Sequence, residues 1–319
     1  MSARFQLTRF GASLVTVIAC CVTLAAQVPA VISDVRASLK SNDFGTATSV
    51  LSAYRSAKGI TPEYLEAYSW MGRGALAAKQ LEAADKYARE TYQMATAMLK
   101  TRALDQEPRL PIALGAAIEV LGQIEVARGA RTEAVAYLQG ELRTYKGTSI
   151  EKRIQKNINL ASLEGQPAPA LDLSEFLSAK PATLTTLKGK VVLMFFWAHW
   201  CSDCKQQGPI ISELSRKYRD DGLVVVAPTQ RFGYVAGGKD APADEETRHI
   251  QQVLRQFYPD LASQAIPLSA ANHTRYGVST TPTLVLVDRS GIVRMYHPGR
   301  LPIEQLEPRV RTLLRDSSR

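Results

Sequence analysis

The sequence predicts two unlike halves: an all-α region of helical hairpins over residues 31–164, then an α/β region with a mixed central sheet over 165–319. Three observations predict this. The first half has no convincing strand and repeats apolar residues at spacings of three and four, the period of a helix burying one stripe. The second alternates continuous apolar runs with amphipathic stretches, the texture of buried strands covered by helices on both faces. A chain of 319 residues is also longer than one domain of ordinary size.

Composition narrows the class. With 45% hydrophobic and 22% charged residues, 20 Gly and 16 Pro, the chain is globular rather than collagenous or disordered. Its net charge of +9 is spread without a basic run, so no nucleic-acid partner is expected.

Residues 1–30 read as an address. Arg4 and Arg9 precede the apolar stretch Gly11–Ala26, and Val28-Pro29-Ala30 offers small residues for cleavage, the marks of a secretory signal. Val17-Ile18-Ala19-Cys20 resembles a lipobox, which leaves two alternatives: a lipoprotein with Cys20 at its N-terminus, or an uncleaved anchor. Each places the remainder outside the cytoplasm, and the only membrane contact expected is through this N-terminus. No later segment is expected to approach the length of a span.

In the helical half, Leu81, Ala84, Tyr87, Ala88, Tyr92 and Ala95 trace one stripe. Gly72 precedes Ala84 by twelve residues, as Gly122 precedes Ala134; Phe44-x2-Ala47-x3-Leu51 is a fainter third match. The offset resembles tetratricopeptide hairpins, although the uneven spacing equally suits a plain bundle. A packed helical cap and a docking surface for a protein partner both remain open. Gly165-Gln166-Pro167-Ala168-Pro169 reads as a linker, because its prolines stop a helix.

Beyond it, Lys190–Trp197 is a buried strand, Ile210–Tyr218 a helix, Leu223–Ala227 a second strand and Glu245–Phe257 an amphipathic helix. Thr283–Val287 and Ile292–Tyr296 flank Asp288-Arg289-Ser290-Gly291 as a hairpin. Ile303–Leu314 is helical, with Pro308 expected to kink it or delay its start. Gln230–Glu246 is an enlarged loop, either a lid on the site or a flexible surface segment.

The chemistry concentrates in sulfur. Of four cysteines, Cys20 and Cys21 lie in the address, leaving Cys201 and Cys204. Cys201 falls where a strand hands over to a helix, and a helix N-terminus stabilises thiolate through unpaired N–H groups and its dipole. Cys204, one turn on, can attack a mixed disulfide. Cys201 is therefore the expected exposed nucleophile and Cys204 the shielded resolving thiol. Zinc would need four ligands, and no second pair or suitably spaced histidine supplies them. A purely structural disulfide would close too short a loop to constrain much.

The segment Gly189–Lys205, Gly-Lys-Val-Val-Leu-Met-Phe-Phe-Trp-Ala-His-Trp-Cys-Ser-Asp-Cys-Lys, resembles the active-site strand and helix of the thioredoxin superfamily, nearest its exported TlpA/ResA-like thiol–disulfide oxidoreductases. Gly165-x-x-Ala168-Pro169, Leu187–Lys190, Pro209, Val278–Thr283 and Asp288-x2-Gly291 extend the resemblance over about 165–315. It implies a thioredoxin-like domain, a redox-active Cys201–Cys204 disulfide with no further cofactor or metal, and protein thiols and disulfides as partners, fed by an electron-donor protein. It also implies Pro282 in the cis form facing the pair, with the Thr281 backbone free to bond a substrate chain; the alternative is a simple strand-entry proline. Trp200, Ser202 and Asp203 would shape the site, with Trp200 at its rim and Trp197 in the core. A redox-silent helical-repeat adaptor that binds peptides is the alternative function. A peroxidase is disfavoured because Ala198 stands where Thr is expected.

Three positions depart from the family. Asp203 replaces the usual Pro, and an acid beside a nascent thiolate should raise the thiol's pKa and make the pair more reducing. Phe195 replaces a buried acid and Gln207 a glutamate, which leaves the resolving thiol without its usual proton acceptor; Asp203 or water would serve. His199, next to the site, either tunes the thiolate or, as the favoured reading, is a solvated histidine.

Overall fold

The computed structural model describes residues 28–316, so the N-terminal address, with Cys20 and Cys21, lies outside the described residues. Seven helices come first: α1 (Ala30–Lys40), α2 (Phe44–Lys58), α3 (Pro62–Ala77), α4 (Leu81–Met98), α5 (Leu110–Ala127), α6 (Arg131–Thr144) and α7 (Glu151–Ser162). Sequence chemistry sets their ends. Thr61 and Asp43 cap α3 and α2 by accepting the Tyr64 and Thr46 N–H groups, and Pro62 occupies the first turn of α3, where its missing donor costs nothing.

The helices pack in sequence around Leu65, Met71, Leu110, Leu114 and Ile118. In the α3–α4 hairpin Gly72 works as its spacing suggested: a Cβ there would meet the Ala88 nitrogen at 3.5 Å and the Ala84 carbonyl at 3.7 Å. In the α5–α6 hairpin the space over Gly122 is filled by Leu138 rather than Ala134. The expectation about span length needs correction. Helix α5 is 18 residues long and apolar enough by length and composition to cross a membrane, yet it is the central, mostly buried helix of this bundle.

The second half builds a six-stranded sheet from β1 (Phe176–Ser178), β2 (Val191–Phe196), β3 (Leu223–Val226), β4 (Ala265–Pro267), β5 (Thr283–Val287) and β6 (Val293–Pro298), in the order β1-β4-β3-β2-β5-β6. Strands β2, β3 and β4 run parallel, and β5, β6 and β1 are antiparallel to their neighbours. Central β2 is buried at every position, as its unbroken apolar run requires. Leu193 and Phe195 face α8 (Ser202–Tyr218), α9 (Ala243–Phe257) and α11 (Ile303–Arg315); Val192, Met194 and Phe196 face the opposite core with Tyr276 and Tyr296. Helix α10 (Ala270–Arg275) precedes β5.

Two readings of the backbone are corrected. Gly165–Pro169 is not a free connector: the Gly165 and Ala168 N–H groups donate to Val293 and Gly291, so the stretch zips along the start of β6. Pro308 does not delay α11, which begins at Ile303 and runs through the proline with Leu306 and Val310 anchoring its buried face.

The halves meet through α7, which packs on α10 and β6. Gly277 makes the closest approach: with φ +60°, a Cβ there would fall 2.3 Å from the Lys156 nitrogen and 2.6 Å from the Gln155 carbonyl carbon. Only glycine permits that backbone contact. Nearby, Lys152 donates to Gln230 at 3.2 Å and the Tyr296 N–H to Glu164 at 3.0 Å.

Candidate active site

Buried β2 ends at Phe196, and after four intervening residues Cys201 leads the chain into α8. Cys201 is the N-cap of α8: its backbone is extended, and its Sγ accepts the Cys204 N–H at 3.0 Å. A sulfur held by an orphan helix donor is where negative charge is best tolerated. Cys201 and Cys204 are joined as a disulfide. Cys201 is more accessible than Cys204, but not exposed as expected: it retains 4% of its surface, against none for Cys204. The turn before β5 lies against it, with the Thr281 carbonyl 3.4 Å from its Sγ.

The Thr281–Pro282 bond is cis. Among the described residues the Thr281 N–H takes no hydrogen-bond partner, which leaves a backbone donor beside the sulfur. Trp200 is half exposed on the rim and Trp197 is buried, its indole donating to the Ala227 carbonyl at 3.0 Å. Ser202 and Asp203 are exposed on the first turn of α8, and Arg300 approaches the Asp203 carboxylate at 4.0 Å. Gln207 is buried and clamps the chain after β6, donating to the Leu301 carbonyl at 3.0 Å and accepting its N–H at 2.9 Å. An amide makes both bonds; a carboxylate would make one. Phe195 lies in the core against Tyr258.

His199 corrects the sequence expectation. It is buried, not solvated, with its Nε2 3.2 Å from a Glu246 carboxylate oxygen. The buried Glu246 also accepts the N–H groups of Phe232 and Gly233, the latter at 2.9 Å. The 230–246 loop is thereby tied to the residue two before Cys201. His199 packs edge-on against Phe232, Tyr234 and His249, and Phe232 in turn meets Trp200 at 5.6 Å between ring centroids. Burial first, and then the neighbouring His249, push the His199 pKa below its ordinary value.

A sequence signal for Glu246 exists. Glu246, Ile250, Val253 and Leu254 share the buried face of α9 at helical spacing, so one acid of the Asp244-Glu245-Glu246 run sits on the apolar stripe. No group of metal-binding residues occurs among the described residues.

A family model described as thioredoxin-like matches residues 189–293. The thiol–disulfide oxidoreductase ResA of Bacillus thuringiensis subsp. konkukian is 31% identical over 144 residues, 45% of this chain and 74% of ResA. The thioredoxin-like protein YneN of Bacillus subtilis is 29% identical over 147 residues, 46% of this chain and 78% of YneN. Among solved structures, a Chlorobium tepidum protein assigned as the thiol:disulfide interchange protein DsbE aligns at 28% identity over 47% of this chain and 97% of its own, with a TM-score of 0.37. The cysteine pair capping α8, the parallel β2 that delivers it and this similarity lead to one conclusion: the chain belongs to the ResA-like, thioredoxin-fold thiol–disulfide oxidoreductases.

Proposed function

We propose that the protein works outside the cytoplasm as a reductant of protein disulfides, with Cys201 as nucleophile and Cys204 as resolving thiol. The observation that carries this assignment is the Cys201 Sγ at the α8 N-cap, holding the Cys204 N–H and facing the Thr281 carbonyl. The Cys201 thiolate attacks one sulfur of a substrate disulfide; an S–S bond forms between them, and the other substrate sulfur leaves as thiolate and takes a proton. Cys204, losing its proton, then attacks the Cys201 Sγ. The second substrate thiolate departs, and two electrons have passed to the substrate. An external dithiol protein restores the pair, which is itself the redox group.

Trp200, Ser202, Asp203, Thr281 and Pro282 shape the exchange. Trp200 and the cis turn limit approach to Cys201, and the free Thr281 N–H is positioned to bond an extended substrate backbone. Asp203 places negative charge beside the nascent thiolate and disfavours the reduced form, although Arg300 offsets part of it. Asp203→Asn is therefore expected to raise the pair's reduction potential and shift the pH–rate profile to lower pH. An unchanged profile would remove Asp203 from the mechanism.

Arg4 and Arg9 ahead of the apolar N-terminal stretch support an extracytoplasmic setting, with delivery by a secretory or lipoprotein signal. Incubation of a Cys204→Ala variant with extracytoplasmic extract is expected to trap disulfide-linked protein partners on Cys201. The redox-silent adaptor alternative would instead give no trapped species and no insulin reduction by the wild type.

A further inference from the structure

The helical half takes no part in the exchange just described, yet one of its faces carries charge that the fold leaves short of counter-ions. Helices α1, α3, α5 and α7 pack side by side in that order. Glu66, Trp70 and Arg73 share one face of α3 at helical spacing, as Ile112, Gly115 and Glu119 do on α5. Arg153 of α7 lies across this α5 face, filling the space over Gly115 and donating to the Ile112 carbonyl at 3.3 Å.

The cations outnumber the acids. Glu119 is shared by Arg153 at 2.7 Å and Lys156 at 3.0 Å, and Glu66 is taken by Arg109 at 3.1 Å. Arg36 on α1 and Arg73 on α3 have neither an ion-pair nor a hydrogen-bond partner among the described residues; both guanidiniums lie over one indole instead, 4.5 and 4.4 Å from the centre of Trp70. The Trp70 N–H has no acceptor either, so this group presents only donors. The charges form a connected set: the fields of Arg36, Arg153, Glu66 and Glu119 reach Arg73, and those of Arg73 and Arg153 reach Lys156. Burial first, and then Arg153, hold the Arg73 pKa down to about 10. Partly buried cations without counter-ions are kept at a cost that a bound anion relieves.

The length of the row selects the class of anion. Packed helix axes stand about 8–10 Å apart, so the row from α1 to α7 spans about 24–30 Å. A phosphate-sized ion covers only Arg36, Arg73 and Trp70. An extended chain, at about 3.3 Å per residue, covers the whole row with about seven to nine residues. At its α7 end the row opens on a cleft of about 450 Å³ lined by Arg153 and by Ser279, two residues before Thr281. The acids on that rim, Asp105 and Glu107, are already held by Ser149 and Arg102.

We propose that the face built by α1, α3, α5 and α7 docks an acidic, extended segment of a protein partner, gripped at its far end by Arg36 and Arg73 over Trp70. The proposal goes beyond the thiol–disulfide exchange, because binding on this face needs no turnover at the cysteine pair.

The test titrates full-length protein into two fluorescein-labelled ten-residue peptides, one alternating Ser with Glu and the other Ser with Gln. Anisotropy is expected to show the Glu peptide binding at least about tenfold more tightly at low salt, with the advantage shrinking as salt rises. Arg36→Gln/Arg73→Gln should weaken the Glu peptide at least about fivefold. Lys58→Gln/Lys86→Gln, which removes the same charge from exposed positions on α2 and α4, should weaken it less than about twofold. Arg36→Glu alters one exposed side chain and should weaken binding even if the double arginine variant fails to fold, which thermal unfolding reports. Equal binding of the two peptides, or equal losses in the two double variants, would overturn the proposal. Displacement of the Glu peptide by inorganic phosphate at matched ionic strength would overturn it in favour of a small-anion site. Arg36-dependent sedimentation with phosphatidylglycerol vesicles, without peptide binding, would overturn it in favour of a membrane. A failure of insulin reduction would overturn the oxidoreductase function and leave this docking face standing.

Discussion

The cysteine pair stands between two walls built by opposite means. On the Trp200 side the wall is buried and polar at its centre: one carboxylate, Glu246, gathers two loop N–H groups and His199, and so fixes Phe232 against Trp200. On the Thr281 side the wall is open and charged, shared between the cis turn and the helical half and seated by one glycine. The first can hardly change without disturbing the sulfur, because removing a buried polar partner strands the others. The second can change freely without reaching it.

The largest effect separating the walls should come from Glu246→Ala. Two N–H groups and His199 lose their shared acceptor, at a cost of about 3 to 5 kcal/mol. Thermal unfolding should shift down sharply, and the rate with a small disulfide should fall with it. A variant as stable and active as the wild type would show that the buried wall does not brace the site.

Gly277→Ala should come next. Its Cβ collides with the α7 backbone at a positive φ, so about 1 to 3 kcal/mol should be lost from strain alone, more if α7 is displaced. Urea unfolding reads the loss. The single-turnover rate with the small disulfide should hold, the reverse of the pattern at Glu246.

A smaller effect is written in pH. Burial pushes the His273 pKa down to about 3, and its ring lies among Phe196 and Phe232 beneath the rigid wall. Folded, the ring stays neutral; unfolded, it takes a proton below about 6.5. The unfolded state therefore binds more protons between pH 6.5 and about 3, and stability falls as pH falls through that window, by up to about 1.4 kcal/mol per unit. His199, also depressed by burial, adds the same sign. Chemical unfolding at pH 7 and pH 5 should show the loss, and His273→Phe should flatten it.

Much of this was legible in the residues. The unbroken apolar run of β2, the Cys-Ser-Asp-Cys that follows and the Asp288–Gly291 turn between β5 and β6 each carry a local signal strong enough to place them. Strands β1 and β4 did not, since three residues are too few to show alternation. The Gly165–Pro169 stretch has the composition of a connector because its pairing partner lies more than 120 residues away. His199 shows no burial signal of its own: only its long-range partner Glu246 makes a buried imidazole tolerable. The apolar α5 is ambiguous by composition, and only the bundle around it identifies a core helix.

The most direct test of the central claim is insulin reduction by full-length protein with dithiothreitol as electron source, comparing wild type, Cys201→Ser and Cys204→Ser. The wild type should accelerate precipitation of the insulin B chain. Cys201→Ser should lose all acceleration, and Cys204→Ser should lose turnover while accumulating a mixed disulfide on Cys201. Undiminished turnover by Cys201→Ser would contradict the assignment of the nucleophile and the mechanism built on it.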